Sequence, residues 1–501
     1  MKRTLYIILG VAILLCSALQ ASPRHRIEEV SELFMPSEPA PKREVRAVWI
    51  TTLSGLDWPK TKAAGEKGRT QQKAELCQIL DRLQQCHINT IFLQTRVRGS
   101  VIYPSQIEPW DVCLTGQYDR SPGYDPLQFA IDEAHRRGME LHAWVVTIPC
   151  FKTANAGKMG RKCMLKTHPE LLKKLGDTYY ADPGLPGTAS YLASICHEIV
   201  TRYDVDGLHF DYIRYPENAP AFPDGPTFRK YGKGKKKDEW RRDNVTSIVR
   251  TIYQDVKAAK PWVRISCSPV GKYDDLSRFS ARGWAAYSTV HQDAQLWLRD
   301  GVMDMLCPMM YFQGDHFYPF AADWQERAYG RTVAPGLGIY FLHPKERDWE
   351  WGVVQRELCY LRQQQLGGQA YFRSQFLTDN TKGIYDYLKA DFYPRPALMP
   401  AMTWQSDRRP PKPELERQER LQGINEHLAW RTVETDAPPC RYAIYASNKR
   451  PVDISQGANL VTVTWDTHYT YNLLSSRLYG LHLAITAIDR YGNESEPLEI
   501  E

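Results

Sequence analysis

The chain has 501 residues, of which 43% are hydrophobic and 24% charged, and its 64 Lys and Arg against 58 Asp and Glu give a formal net charge of +6. This composition excludes a disordered, collagen-like or multi-span membrane protein. A net charge of +6 over this length gives no ground for predicting nucleic-acid binding, which needs a clustered basic face. The length allows two or three domains, or one barrel-sized domain with additions.

The amino terminus has the pattern of a signal peptide. Lys2 and Arg3 precede an apolar run from Leu5 to Cys16, and small residues follow up to Ala21. Because the run is shorter than the ~20 residues that a bilayer needs, we predict a signal peptide over residues 1–21 and an exported chain, whether periplasmic, at the cell surface or secreted. Soluble export is favoured, since a lipoprotein signal has a small residue before its cysteine, and membrane attachment is expected only if Cys16 is lipidated.

The cysteines are predicted to be mostly buried free thiols. The chain has 11 cysteines, and no two of them have CxxC spacing. Cys150 and Cys163 bracket a loop and are the one pair that merits a test as a disulfide. The sequence has no HExxH, Walker or GxGxxG motif, so we predict no metal and no cofactor.

The central part of the chain predicts an α/β fold of the (β/α)8 TIM-barrel type. After a polar tether over residues 22–42, short β-rich runs alternate with amphipathic helical patterns through residues 43–400. This alternation predicts parallel strands, and the missing Gly-rich first turn disfavours a doubly wound sheet. The eight predicted strands lie at Val45–Thr51, Asn89–Thr95, Met139–Val145, Val205–Asp211, Val263–Ser268, Met303–Tyr311, Val333–Ile339 and Gly368–Ser374.

The carboxyl-terminal part predicts a separate all-β unit. Residues 401–420 are rich in Pro and Arg and are predicted to be a linker. Residues 421–501 contain short alternating runs separated by turn signals, which is typical of a small β-sandwich. The final segment, LYGLHLAITAIDRYGNESEP, resembles the last strands of a fibronectin type III module, with Tyr479 at the position of the tyrosine that opens a strand.

Period-two alternation predicts which side chains reach the mouth of the barrel, where active sites of this fold lie. Asp211 ends the fourth predicted strand and faces the mouth, and an unpaired carboxylate there would be costly without a use. His209, one layer below, is predicted to be a hydrogen-bonded core histidine. Arg96 or Arg214 is expected to pair with Asp211, keep its pKa low and keep it ionised.

These segments resemble a known family. The motifs REVRAVWITT, INTIFLQTRVRGSVIYPSQIEPW, GYDPLQFAIDEAHRRGMELHAW, DVDGLHFDYIRYP, MDMLCPMMYF and APGLGIYF are similar to those of the glycosyl-hydrolase-like family ten, formerly domain of unknown function 187. The resemblance implies a barrel that acts on glycans outside the cytoplasm, with members linked to bacterial cell-wall glycan strands. It also places Asp211 in register with the nucleophile of the alpha-amylase-like clan. Many relatives have Pro-Gln-x-Tyr where this chain has Met309, so a glutamine contact is missing.

Glycoside hydrolysis ordinarily needs two carboxylates, and the second is not evident. Asp315 is our first choice for it, followed by Glu108 and Asp111, while a plain surface carboxylate stays an alternative for each. The predicted catalytic pair is therefore Asp211 with Asp315. The predicted substrate contacts are Trp49, Gln94, Arg96, His142, Trp144, Tyr212, Arg214 and Tyr311.

Two functions are open on this basis. The first is a secreted glycoside hydrolase whose substrate is a polysaccharide or oligosaccharide, with bacterial cell-wall glycan as one candidate. The alternative is a non-catalytic, adhesin-like glycan-binding protein that uses the same cleft. The basic run at residues 229–242 is either a solvated loop or a rim that steers an acidic glycan. The sequence gives no oligomeric state.

Overall fold

The computed structural model describes residues 41–432, 441–473 and 476–501. The predicted signal peptide, with Cys16, and almost all of the tether lie outside the described residues. Within the described ranges, no helix has the length and apolar character needed to cross a membrane.

A parallel barrel forms the main body, which confirms the predicted fold class. Within the described residues, its eight strands are β1 Val45–Ile50, β2 Thr90–Arg96, β3 Glu140–Val146, β4 Gly207–Asp211, β5 Arg264–Cys267, β6 Met305–Leu306, β7 Thr332–Val333 with Gly336–Leu337, and β8 Gly368–Tyr371.

The barrel closes at β7, which changes partners part of the way along. Its first half, Thr332–Val333, pairs in parallel with β6, and its second half, Gly336–Leu337, pairs with β8. Between the halves, the Ala334 amide donates to β6 and the Pro335 carbonyl accepts from β8. Because β8 also pairs with β1, the strands form a ring with no free edge.

Helices follow the strands and surround the ring. The longer ones match the predicted amphipathic segments, and Asp125 caps one of them by accepting from the amides of Leu127 and Gln128. Within the described residues, the α-helices with at least five residues are Gly65–Gln85, Pro126–Arg136, Pro186–Arg202, Gly225–Tyr231, Lys237–Ala259, Ala294–Arg299, Tyr318–Glu326, Trp351–Gln363 and Ser374–Thr378.

Side chains alternate between two separate apolar clusters, as the predicted period of two requires. One cluster lies between strands and helices and includes Leu93, Leu141 and Phe210. The other fills the barrel interior and includes Phe92 and Trp144. The interior is therefore a packed core, and an opening for ligand exists only at its ends.

A small antiparallel sheet that the sequence did not predict interrupts the loop between β3 and β4. Its strands are Pro149–Lys152, Leu172–Leu175 and Thr178–Ala181. The disulfide considered for this loop is wrong, because Cys150 and Cys163 are both free. The Sγ of Cys150 lies 3.7 Å from the Met164 sulfur instead.

Eight cysteines in the described ranges are free thiols, and all of these except Cys77 are buried. They are Cys77, Cys86, Cys113, Cys150, Cys163, Cys196, Cys267 and Cys307. This confirms the predicted state for those residues, while Cys440 lies outside the described residues. Burial raises the pKa of the Cys86 thiol to about 12.

The carboxyl-terminal part has two antiparallel sheets, of three and four strands within the described residues. Its first strand, Glu414–Leu421, begins inside the predicted linker, which is therefore shorter than expected. The sequence ELERQERL did not indicate this strand, because most of its side chains are charged and exposed and show no apolar alternation. Tyr479 is 71% exposed and lies three residues before the strand His482–Ile488. The fibronectin type III resemblance stays a prediction. The remaining strands are Asn425–Arg431, Arg441–Ser447, Leu460–Thr464, His468–Asn472, His482–Ile488 and Leu498–Ile500.

This β unit contacts the barrel at the end opposite the mouth through charged groups. Arg441 forms an ion pair with Glu140 at the start of β3, and both side chains are more than 90% buried. Arg490 pairs with Asp204 at 2.6 Å, and the Trp404 indole donates to Asp304 over 2.9 Å. Burial alone would raise the pKa of Glu140, but the positive charges around it, led by Arg441, lower it. Glu140 is therefore ionised at neutral pH and needs its cation.

We expect Arg441→Met to lower the free energy of unfolding at pH 7 by about 3 kcal/mol, because it leaves the Glu140 carboxylate buried without its main partner. Urea-induced unfolding followed by tryptophan fluorescence measures this loss. Arg417→Met is the matched control, since the Arg417–Glu419 pair in the same unit is exposed, and its effect should stay within about 0.5 kcal/mol. Equal effects of the two substitutions would contradict the role given to the buried pair.

Candidate functional site

Asp211 lies where the sequence placed it, at the carboxyl end of β4, and its side chain is buried apart from a small exposed fraction of 7%. The Tyr212 amide donates to its Oδ1 over 2.8 Å. The side chains of Ser268 and Trp144 lie close enough to favour its charged form. Burial raises the pKa of Asp211 to about 6, against the opposing charge of Arg214. The expectation of a low pKa is wrong because desolvation outweighs the arginine.

The backbone turns sharply directly after this carboxylate. Tyr212 has φ of 53°, in the left-handed region that a bulky side chain rarely adopts. The Arg214 backbone amide donates to the Tyr212 carbonyl over 2.8 Å. The Arg214 guanidinium also stacks on the Tyr212 ring, 4.7 Å from its centre. The strained turn is therefore held in place from its own loop, and it positions Asp211 at the mouth.

Arg214 has its direct ion pair with another carboxylate, which sequence reasoning missed. Its Nη2 lies 2.7 Å from Glu217 Oε1, and the Glu217 side chain is 32% exposed. Burial raises the pKa of Glu217, but Arg214, helped by Arg98, outweighs this and lowers it. The same loop therefore presents Asp211 with a raised pKa and Glu217 with a lowered one, with Arg214 acting on both. The only signal in the sequence was one more acidic residue in DYIRYPE.

The floor below Asp211 is aromatic and uncharged. Trp49 Nε1 donates to His209 Nε2 over 3.1 Å, and His209 Nδ1 shares a hydrogen bond with Ser266. Phe92 stacks on the His209 ring with centres 4.0 Å apart, and burial holds the pKa of His209 well below its usual value. The prediction of a hydrogen-bonded core histidine is confirmed. Trp49 is only 2% exposed, so it supports the site from below and does not offer a face to a sugar.

Three more of the predicted substrate contacts belong to internal networks. Arg96 is fully buried and pairs with Glu108 through two bonds of 2.6 and 2.7 Å, so neither of them reaches Asp211 or a ligand. Gln94 uses its carbonyl to accept from two backbone amides in the loop after β1. His142 is fully buried and lies 3.1 Å from Glu140 near the base. Gln94 and His142 point into the barrel as predicted, but His142 lies deeper than the mouth. Arg96 does not point inward, because a register shift after Gln94 pairs it with Val145, which faces the helices.

The other acidic candidates differ in exposure. Asp111 is buried, caps the short helix Val112–Thr115 and accepts from Ser100, which is a structural role. Asp315 is exposed in the turn Gly314–His316, and none of the described contacts brings it to Asp211. Asp315 as second carboxylate stays a prediction.

Tyr311 forms an aromatic wall beside Asp211, as the sequence predicted for a residue after β6. It is partly exposed, and its ring centre lies 5.7 Å from that of Phe372 and 5.8 Å from that of Tyr340. A side chain at Gly338 would come within 3.1 Å of the Tyr311 ring, so the glycine permits this close packing. Burial raises the pKa of Tyr311, and the nearby Tyr340 and Asp211 raise it further, so Tyr311 lies within electrostatic range of Asp211.

The basic run at residues 229–242 is less available to a ligand than its composition indicated. Lys235 pairs with Asp243 at 2.6 Å, and Lys237 pairs with Asp224 at 2.8 Å. The buried Arg241 also binds Asp224. Much of the positive charge in this run is therefore neutralised within the fold.

Comparison with known proteins finds glycosyl hydrolases among the proteins similar to this chain. The family model described as Glycosyl hydrolase-like 10 matches residues 44–335. Glycosyl hydrolase YngK from Bacillus subtilis is 31% identical over 91% of this chain and 92% of its own length. Glycosyl hydrolase DigH from Escherichia coli is 33% identical over 77% of this chain and 95% of its own length. Among solved structures, the PgaB (BpsB) glycoside hydrolase domain from Bordetella bronchiseptica has a TM-score of 0.45 and 12% identity, over 69% of this chain and 98% of that chain.

The raised pKa of Asp211 predicts how the stability of the protein depends on pH. The pKa is about 6 in the folded protein and 3.8 ordinarily, so folding favours the protonated acid. The resulting contribution to the free energy of unfolding is fully present below about pH 4 and is lost as the pH rises through 6. Asp211→Asn, which is always neutral, should therefore raise the free energy of unfolding at pH 8 by up to about 3 kcal/mol and leave it nearly unchanged at pH 4.

Urea unfolding at the two pH values tests this prediction. Asp315→Asn is the control, because it removes an exposed carboxylate and should give no pH-dependent gain. A wild-type protein that is as stable as Asp211→Asn at pH 8 would contradict the raised pKa.

Proposed function

Since the chain belongs to the Glycosyl hydrolase-like 10 family and its function is of the glycosidase type, we propose that it cleaves a polysaccharide at the mouth of the barrel with Asp211 and Glu217. The observation that carries this proposal is Asp211 itself. It is a buried carboxyl group with a pKa of about 6, at the end of a barrel strand and beside an aromatic wall. A structural carboxylate in the same place would be expected to have a full ion pair.

The two carboxyl groups have the electrostatic properties that glycoside hydrolysis requires. A group with a pKa near 6 keeps its proton in part of the molecules at neutral pH, so Asp211 can protonate the oxygen of the leaving sugar. Glu217 remains ionised beside Arg214 and can stabilise positive charge on the sugar or activate a water molecule. The raised pKa therefore favours the acid role for Asp211 over the nucleophile role implied by its register with the alpha-amylase-like clan.

The substrate that we propose is a bacterial cell-wall glycan, met after export of the chain. The resemblance to family members linked to such strands and the predicted signal peptide at residues 1–21 support this assignment. Tyr311, Tyr212 and Phe372 are partly exposed around Asp211, and aromatic faces of this kind can stack on sugar rings. A glycan-binding protein without activity would share these walls, but it would have no need for a desolvated acid.

Removal of the charge or the proton of either carboxyl group should stop the reaction. We expect Asp211→Asn and Glu217→Gln each to lower kcat/KM by about 10²-fold to 10⁴-fold, measured as reducing ends released from purified cell-wall glycan strands. Because Asp211 must be protonated to act as the acid, wild-type kcat/KM should fall as the pH rises through about 6.

Asp315→Asn, tested in parallel, decides between the two candidates for the second carboxylate. Activity near the wild-type level in this variant supports Glu217, whereas a loss there with normal activity in Glu217→Gln would assign the role to Asp315. Thermal unfolding of each variant shows that a loss is not due to misfolding. Wild-type turnover by Asp211→Asn would overturn the proposed mechanism, and glycan binding without released ends in the wild-type protein would support the binding function.

A further inference from the structure

A second feature opens beside the mouth of the barrel, next to Tyr311. It is a cleft of about 540 Å³ between the loop after β5 and the segments that follow β6 and β7. Tyr311, Phe312 and Trp349 form its aromatic walls. The Tyr311 ring centre lies 5.7 Å from that of Phe372, and Phe372 packs on the interior cluster together with Tyr212, the neighbour of Asp211, so the cleft adjoins the mouth.

The cleft carries positive charge that no carboxylate in its lining balances. Arg282 and Arg347 line it, and no Asp or Glu does. None of the described ion pairs or hydrogen bonds involves the Arg282 side chain, which is exposed. The Arg347 guanidinium stacks on Phe341 at 4.2 Å, and stacking leaves the N–H edge of the group available. Of the two acidic residues next to Arg347 in the chain, Asp348 is paired with Lys382 at 2.7 Å, and none of the described ion pairs joins Glu346 to Arg347.

A third polar side chain lines the same cleft. His316 is partly exposed there and adds an imidazole that can form hydrogen bonds beside the two arginines. The arginines of the cleft differ from the basic run at residues 229–242, where Lys235 and Lys237 already have aspartate partners.

We propose that this cleft is a subsite for a sugar unit that bears a carboxylate, bound by Arg282 and Arg347. The proposal rests on the proposed function, since it names the chemistry of a sugar next to the one that is cleaved. A planar carboxylate accepts paired N–H bonds from guanidinium groups, and the sugar ring can stack on the aromatic walls. Because Asp211 is not among the residues that line the cleft, the anionic unit is outside the position where the bond breaks.

The test compares glycans that differ only in the carboxylate. Peptide-free cell-wall glycan strands carry free lactyl carboxylates, and carbodiimide with ethanolamine converts these to neutral amides. Oligogalacturonate and its methyl ester form the second pair, in which the carboxylate belongs to the sugar ring. Binding is measured by calorimetry on the full chain with Asp211→Asn, so that turnover does not disturb it.

We expect the protein to bind at least one acidic probe about tenfold more tightly than its neutral partner, and the pair that shows this identifies the source of the carboxylate. Replacing both cationic side chains, Arg282→Gln with Arg347→Gln, should reduce the preference to within about twofold and leave affinity for the neutral probe unchanged. Arg278→Gln is the matched control, because Arg278 is an exposed arginine of the same loop that does not line the cleft. It should keep the preference.

Equal affinity for the acidic and neutral probes in both pairs, no binding of any probe, or a preference that survives the double substitution would each overturn the subsite. A parallel assay of reducing ends with the wild-type protein separates this result from the proposed function. Loss of hydrolysis with a retained carboxylate preference would count against the hydrolase and not against the cleft.

Discussion

Closure of the barrel at β7 is the constraint on which the site depends. The segment pairs with β6 through Thr332–Val333 and with β8 through Gly336–Leu337, so every strand has two neighbours. Once the ring is closed, each side chain on a strand must lie either inside it or under the helices. The interior is filled by aromatic and small side chains, and polar groups can meet a ligand only where the strands end. Asp211, Tyr212 and Tyr311 all lie at that level.

Desolvation then gives different properties to acidic residues that look alike in the sequence. Glu108 is buried with a bidentate arginine and serves the fold, whereas Asp211 is buried beside groups that only partly compensate its charge. Glu217, six positions later, has a side chain that is 32% exposed and forms a direct ion pair with Arg214. The pKa values of these two carboxyl groups on one loop are therefore displaced in opposite directions.

The sequence predicted the barrel, the strand positions and the inward alternation because these follow from short-range periodicity. It placed Asp211 correctly for the same reason. It could not tell that Arg96 would meet Glu108, because the two approach each other through a loop whose path no local pattern specifies. No local pattern specifies the position of a side chain along the barrel axis either, so His142 was expected at the mouth but lies at the base with Glu140. The strand Glu414–Leu421 was missed because its side chains are mostly exposed and give no apolar period.

The buried thiols have a consequence for how the chain matures. A thiolate is the species that attacks disulfides and oxidants, and raising the pKa of Cys86 from 9.0 to about 12 lowers its thiolate fraction roughly a thousandfold. Cys86 is thus protected from oxidative cross-linking in the folded barrel, although it is not protected in the unfolded chain. In the oxidising compartment proposed for the chain, folding must therefore bury the thiols faster than disulfides form. A variant that folds slowly would accumulate non-native disulfides even if its native state were as stable as that of the wild type.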